Sequence, residues 1–279
     1  MLRRMAFAAA VVAIVIGCGS SATPAVSDPK EIVTKAVTAT QSLKAAHVKI
    51  DLSGTVPFSF GGASGSSLTL DGTTVEGDVD VAGRAAHLSF AVPALLGTTG
   101  EFTVVNQAVY MKISLTGPKW SRLADTGGTG MLPLPSGSPG AVTDELNTFL
   151  ARPEVAPKKL GDEKCGDKDC YKVELTLPVG DLAGSLGGAL SSFAPLPSLG
   201  TTQATLDLWV EKDSFRPAKA TVAVDMGTTG KLTVAVALSK FDQAVTIAPP
   251  PADQIDPSGG LFQGLPGIPG FPMPSFPAP

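Results

Sequence analysis

"DPKEIVTKAVTATQSLKAAHVKIDLSGTV", residues 28–56, changes its hydrophobic period once, and that change decides the fold. Ile32, Val33, Ala36, Val37 and Leu43 fall at helical spacing, which makes one apolar face of a helix. The start is marked as well. Asp28 can cap, Pro29 suits the first helical position, and Glu31 stands third as in a capping box. After His47 the period becomes two: Val48, Ile50 and Leu52 alternate with His47, Lys49 and Asp51, the pattern of a half-buried strand.

The same alternation recurs downstream. Val75–Val81 places Glu76, Asp78 and Asp80 on a polar face, Ala86–Val92 turns Leu88 and Phe90 inward, and Val109–Ile113 carries Met111 between. Tyr171–Leu177, Ala204–Val210, Ala218–Met226 and Leu232–Leu238 continue the series. Short connections between most of these strands favour an antiparallel sheet over βαβ units. Residues 126–140, "TGGTGMLPLPSGSPG", interrupt as a Gly/Pro loop before a helix expected around Val142–Leu150. Residues 179–199 hold another helix candidate, with Val179, Leu182, Leu186, Leu190 and Phe193 on one face and Gly184, Gly187 and Gly188 weakening it. A sheet with one large apolar face must bury it against a second sheet, helices or a ligand. Periodicity alone favours the first, a filled sandwich core.

Outward from this region, the N-terminus reads as a leader. Arg3 and Arg4 precede the uncharged run Met5–Ile16, too short for a bilayer span of about 20 residues. "AIVIGCGSS", residues 13–21, then resembles a bacterial lipobox, with Val15, Ile16 and Gly17 before Cys18. The resemblance implies a cleaved signal peptide over 1–17 and lipidation of the Cys18 sulfur. Two or three acyl chains anchor stably where one would not. Residues 18–27 then form a lipidated, flexible tether of small polar residues. The expected site is the extracytoplasmic face of the cell membrane.

Loss of Arg3 and Arg4 takes the formal charge from 21 − 25 = −4 to 19 − 25 = −6. An acidic chain without a basic cluster argues against nucleic acid as a partner. Cys165 and Cys170 in "EKCGDKDCYKVEL" are expected to pair in an oxidising compartment and fix a turn before the strand at Tyr171. A metal site there would need two further ligands, and no His lies near, so no metal or other cofactor is expected. His47 and His87, the two histidines, fall on the polar phase of strands. The chain has no G-x-S-x-G, H-E-x-x-H, P-loop or G-x-G-x-x-G. Asp78 and Asp80 lack the Gly turn and distal Glu of a calcium loop, and "GDEKCGDKDC" reads as a solvated turn. The expectation is a protein without catalysis.

Several stretches in order resemble the mycobacterial LppX/LprG-type (LppX_LprAFG) lipoproteins, themselves similar in fold to LolA and LolB. They are Cys18 followed by residues 28–56, then "AVYMKISLTGPKWSRL" with Trp120 closing a strand after a Gly-Pro-Lys turn, then "LDLWVEKDSFRPAKATVAV" running to "LSKFDQAVTIAPPPADQI". The resemblance implies an α+β fold, a single curved antiparallel sheet (half-barrel) closed on its concave side by a few helices, over residues 28–248. It implies a carrier that holds acyl chains of envelope lipids or lipoglycans between sheet and helices, with a membrane lipid transporter as a further partner. The inward residues Ala86, Leu88, Phe90, Val109, Met111 and Ile113 then face the cargo. The rival expectation is an envelope scaffold lipoprotein with a filled β-core. The Cys165–Cys170 pair and the Pro/Gly/Phe-rich tail 249–279 depart from the family pattern, and the tail is expected to be extended or disordered.

Overall fold

A computed structural model describes residues 26–60, 63–125, 150–152, 155–178 and 202–257. Helix α1 spans Pro29–Gln41, and Asp28 caps it by accepting a hydrogen bond from the Lys30 amide at 2.9 Å. Glu31 turns outward to Lys35 at 2.8 Å instead of completing a capping box. The leader, Cys18, the loop at 126–140, nearly all of the expected helix at 142–150, the helix candidate at 179–199 and the tail from 258 lie outside the described residues.

Twelve strands follow α1. They are β1 (Ala45–Phe60), β2 (Ala63–Thr69), β3 (Thr73–Asp80), β4 (Ala85–Val92), β5 (Thr98–Val105) and β6 (Ala108–Ile113), then β7 (Ser121–Asp125), β8 (Lys158–Cys165), β9 (Lys168–Pro178), β10 (Gln203–Glu211), β11 (Pro217–Asp225) and β12 (Lys231–Ser239). All pair antiparallel in one sheet, in the order β7-β6-β5-β4-β3-β1-β12-β11-β10-β9-β8, with β2 on the far half of β1. β1 is the seam. One meander, β3–β7, lies on one side of it and a second, β8–β12, on the other. β7 and β8 stand at opposite ends of the path, so the sheet is open. Among the described residues no second sheet meets it, which overturns the sandwich expectation.

The sheet bends toward its apolar face. Gly54 and Gly77 point that way, and an added Cβ would lie 2.0 Å from the carbonyl oxygen of Lys231 or of His87 on the neighbouring strand. Only a missing side chain lets backbones approach so closely. The result is a curved half-barrel whose apolar face is the concave one.

Each meander is covered on a different side. On the concave side, α1 buries Ile32, Val33 and Ala36 against Tyr171, Val173, Leu175 and Leu177 of β9 and Val210 of β10. On the outer side, residues 240–257 leave β12 and cross the first meander as a strap. Its start is fixed by Asp242, whose carboxylate accepts from the Lys44 amide at 2.8 Å and pairs with Arg216. Its end is fixed at Trp120, whose amide donates to the Gln254 carbonyl at 2.8 Å while the Asp256 amide donates to the Trp120 carbonyl at 2.7 Å. Ile247 and Ile255 pack on Ala85, Val105, Ala108, Tyr110 and Trp120. The strap therefore includes residues 249–257, the start of the segment expected to lie beyond the domain.

The eight expected strands are present, and β2, β5, β7 and β8 add to them. Trp120 precedes β7 and so opens a strand rather than closing one. The charged stretch 161–170, read as a solvated turn, is the exposed tip of the β8–β9 hairpin. Gly166, at φ +69°, supplies the positive φ of its two-residue turn.

Candidate functional site

The six inward residues fall on three cross-strand rungs of the concave face. Strand register aligns Ala86, Val104 and Val109, then Leu88, Phe102 and Met111, then Phe90, Gly100 and Ile113. Alternation keeps successive rungs on the same face. Their environments differ. Ala86 and Val109 are fully buried, whereas Leu88, Phe90, Met111 and Ile113 are half-buried. Gly100 leaves room that the Phe90 ring takes, since a Cβ there would lie 2.3 Å from Phe90 Cζ.

This half-buried apolar surface runs on across the seam, through Val75 of β3, Ile50 and Leu52 of β1 and Val234 and Val236 of β12. It stops where α1 begins to cover β9 and β10. The concave face thus has a filled part and a part on which, among the described residues, hydrocarbon meets no equivalent cover.

Charge is placed elsewhere. On the outer face His47 lies between Asp78 at 2.7 Å and Glu76 at 3.1 Å, and His87 meets Thr103 at 2.8 Å. A cavity of about 430 Å3 lies there between Asp78, His87 and strap residues 244–248. Near the β8 edge Lys212 donates to Asp162 at 2.7 Å, and this bond holds the Asp162 carboxyl below its usual range. The Trp209 indole donates to Glu163 at 2.7 Å and lowers that group in the same way. No cluster of three or more His, Cys, Asp or Glu side chains suited to a metal ion occurs among the described residues. Cys165 and Cys170 form a disulfide across the β8–β9 hairpin, with their Cα atoms 6.0 Å apart. Both cysteines lie within strands, because β9 starts at Lys168 rather than Tyr171.

Two features escape the hydrophobic pattern of the sequence. The strap is one, since Pro249, Pro250 and Pro251 mark that segment as a linker. The other is a set of exposed leucines, Leu95, Leu96 and Leu115, on loops beside β5. The Leu95-Leu96 pair next to Gly97 was its one visible signal.

An open antiparallel half-barrel, with a helix on part of a concave apolar face, defines the fold class of the LppX/LprG-type lipoproteins. Among solved structures the chain is similar to Mycobacterium tuberculosis lipoprotein LppX, at 18% identity and a TM-score of 0.51, over 78% of this chain and 97% of that one. It is similar also to LprF from Mycobacterium bovis, at 18% identity and a TM-score of 0.50, over 80% and 96% of the two chains. At this identity the likeness shows the fold. No protein-family model matches the sequence, and no curated protein sequence matches it. No described helix is long and apolar enough to cross a membrane.

Proposed function

We propose that the protein is an exported lipoprotein, anchored through Cys18, that binds acyl chains of envelope lipids or lipoglycans and carries them across the cell envelope without covalent chemistry. One observation carries this reading. Among the described residues, the concave face over β12, β1 and β3–β6 is half-buried outside the rung Ala86–Val104–Val109, although α1 fills the same face over β9. Moving an acyl chain onto that surface removes apolar area from water on both partners, at about 25 cal/mol per Å2. Leu88, Phe90, Met111 and Ile113 are the residues that would meet the chain, while Ala86 and Val109 would form its closed end. A membrane lipid transporter is the natural source or recipient of the cargo.

Mass spectrometry of organic extracts of the purified protein tests the reading. Acylated lipid near one per chain is the expected result. Its absence, with a protein that also takes up no added lipid, would leave an envelope scaffold in its place. Cys18→Ser should release the protein from membranes or stall it as a precursor, and unchanged fractionation and mass would refute the anchor.

A further inference from the structure

One rim of the sheet collects exposed hydrocarbon. Of the large apolar side chains that stand exposed among the described residues, Leu95 (43%), Leu96 (91%) and Leu115 (49%) lie on two loops at the same end of the first meander. One loop joins β4 to β5, and the other follows β6. The two are tied together where the Ser114 amide donates to the Thr99 carbonyl at 2.8 Å and the Thr99 amide to Ser114 Oγ at 3.0 Å. A single exposed leucine needs no explanation, but three on adjoining loops form a patch.

The backbone holds Leu96 outward at a cost. Its φ is +55°, in the left-handed region that a branched residue rarely adopts. Bonds from the Gly97 amide to the Pro93 carbonyl (3.0 Å) and from the Thr98 amide to the Leu95 carbonyl (2.9 Å) fix the turn. Lys119 is exposed on the second loop, close in sequence to Leu115. The rung Phe90–Gly100–Ile113, the outermost of the three candidate rungs, lies directly inside the same rim.

We propose that this rim docks on the lipid bilayer, with Leu95, Leu96 and Leu115 in the acyl boundary and Lys119 at the phosphate level, so that acyl chains reach the concave face without crossing water. The inference rests on the carrier reading and assigns the surface through which the carrier loads. The tether permits it. Val26 is held to the body by its amide on Tyr171 Oη at 3.1 Å and its carbonyl near Lys159 Nζ at 3.4 Å. From Cys18 to Val26 the chain can reach about 28 Å. The eight-residue strands are about 24 Å long, so anchor and rim can meet one bilayer. Leu160, also exposed (50%), stands apart on β8 and serves as the control.

The test uses the lipidated full chain on vesicles of phosphatidylcholine and phosphatidylglycerol, with Cys165–Cys170 oxidised. An NBD label on Leu96→Cys should shift to the blue and be quenched by bromine-labelled acyl chains, and a label on Leu160→Cys should not. The pair L95D and L96D should slow transfer of a pyrene-labelled phospholipid between vesicles about tenfold or more, from the lost burial of two leucines. Lipid co-purifying with that variant should stay at the parent level, and L160D should change neither readout. An unquenched label at 96, or undiminished transfer by the Asp pair, overturns the rim while lipid still co-purifies. A parent chain that neither carries nor transfers lipid overturns the carrier reading and, with it, the loading role of the rim.

Discussion

The two meanders that flank β1 obey the same alternation and end with opposite covers. In β8–β12 the concave side is packed over β9: Tyr171, Val173, Leu175 and Leu177 lie under α1, and the outer side keeps Lys172 and Lys219 over the Trp209 ring at 4.7 and 4.6 Å. In β3–β7 it is the outer side that is closed, by the strap on Trp120 and Tyr110, while much of the concave side is half-buried. Alternation reports which side chains share a face, but it is silent on what lies against that face. Among the described residues, the helix covers one half and the strap the other, on opposite faces.

The largest effect expected from this contrast is on stability. Leu175→Ala removes a side chain 3% exposed beneath α1 and should cost about 2–5 kcal/mol, because the site cannot collapse freely. Leu88→Ala, on the half-buried face of the other meander, should cost less, about 1–2 kcal/mol in lipid-free protein, since part of its side chain already meets solvent. Denaturant titration of both variants measures this directly. Equal costs would mean that both halves are filled alike.

A smaller effect separates the rungs within the concave face. Val109 is fully buried, at 0% accessibility, so Val109→Trp should strain the fold by about 1–3 kcal/mol. Met111→Trp, one rung nearer the rim, should leave the thermal midpoint nearly unchanged and lower the bound lipid. A Met111→Trp protein as destabilised as Val109→Trp, with lipid unchanged, would break the distinction between closed end and open trough.

The smallest effect belongs to the strap. The amide of Lys44, followed by the charge of Arg216, holds the Asp242 carboxyl below its ordinary range. A depressed folded-state pKa gives stability that is present above the unfolded value of about 3.9 and lost as pH falls through the folded value. Thermal midpoints of the parent and Asp242→Asn should therefore differ near neutral pH and converge below about pH 4. Persistent separation in acid would show that the charge of Asp242 does not fix the strap.

The sequence made most of this sheet legible because strands such as Val75–Val81 and Leu232–Leu238 carry uninterrupted alternation. It hid β5 because Gly100 sits where an inward apolar residue would have marked the rung, and its room is filled by Phe90 from β4. It hid β8 because that strand ends the sheet, where charged residues such as Lys158, Lys159 and Lys164 discourage further pairing. The candidate face was readable as an inward phase, so its six residues align across three strands. Its division into a buried rung and two half-buried ones was not readable, because alternation marks which residues share a face and not what lies against each of them.

The placement of β1 also sets an order of assembly. Its N-terminal half pairs with β3 on one side and with β12, the last strand made, on the other, so that His47 lies beside Ser239. Neither edge of the sheet closes late; the middle does. Until β12 emerges, β1 and β11 each present an unpaired edge, and a contact spanning almost the entire described chain must form before the two meanders become one body. Topologies of that kind fold slowly. A chain that stays unpaired along its central seam until β12 is available can complete the sheet only once nearly all of its described length has been made.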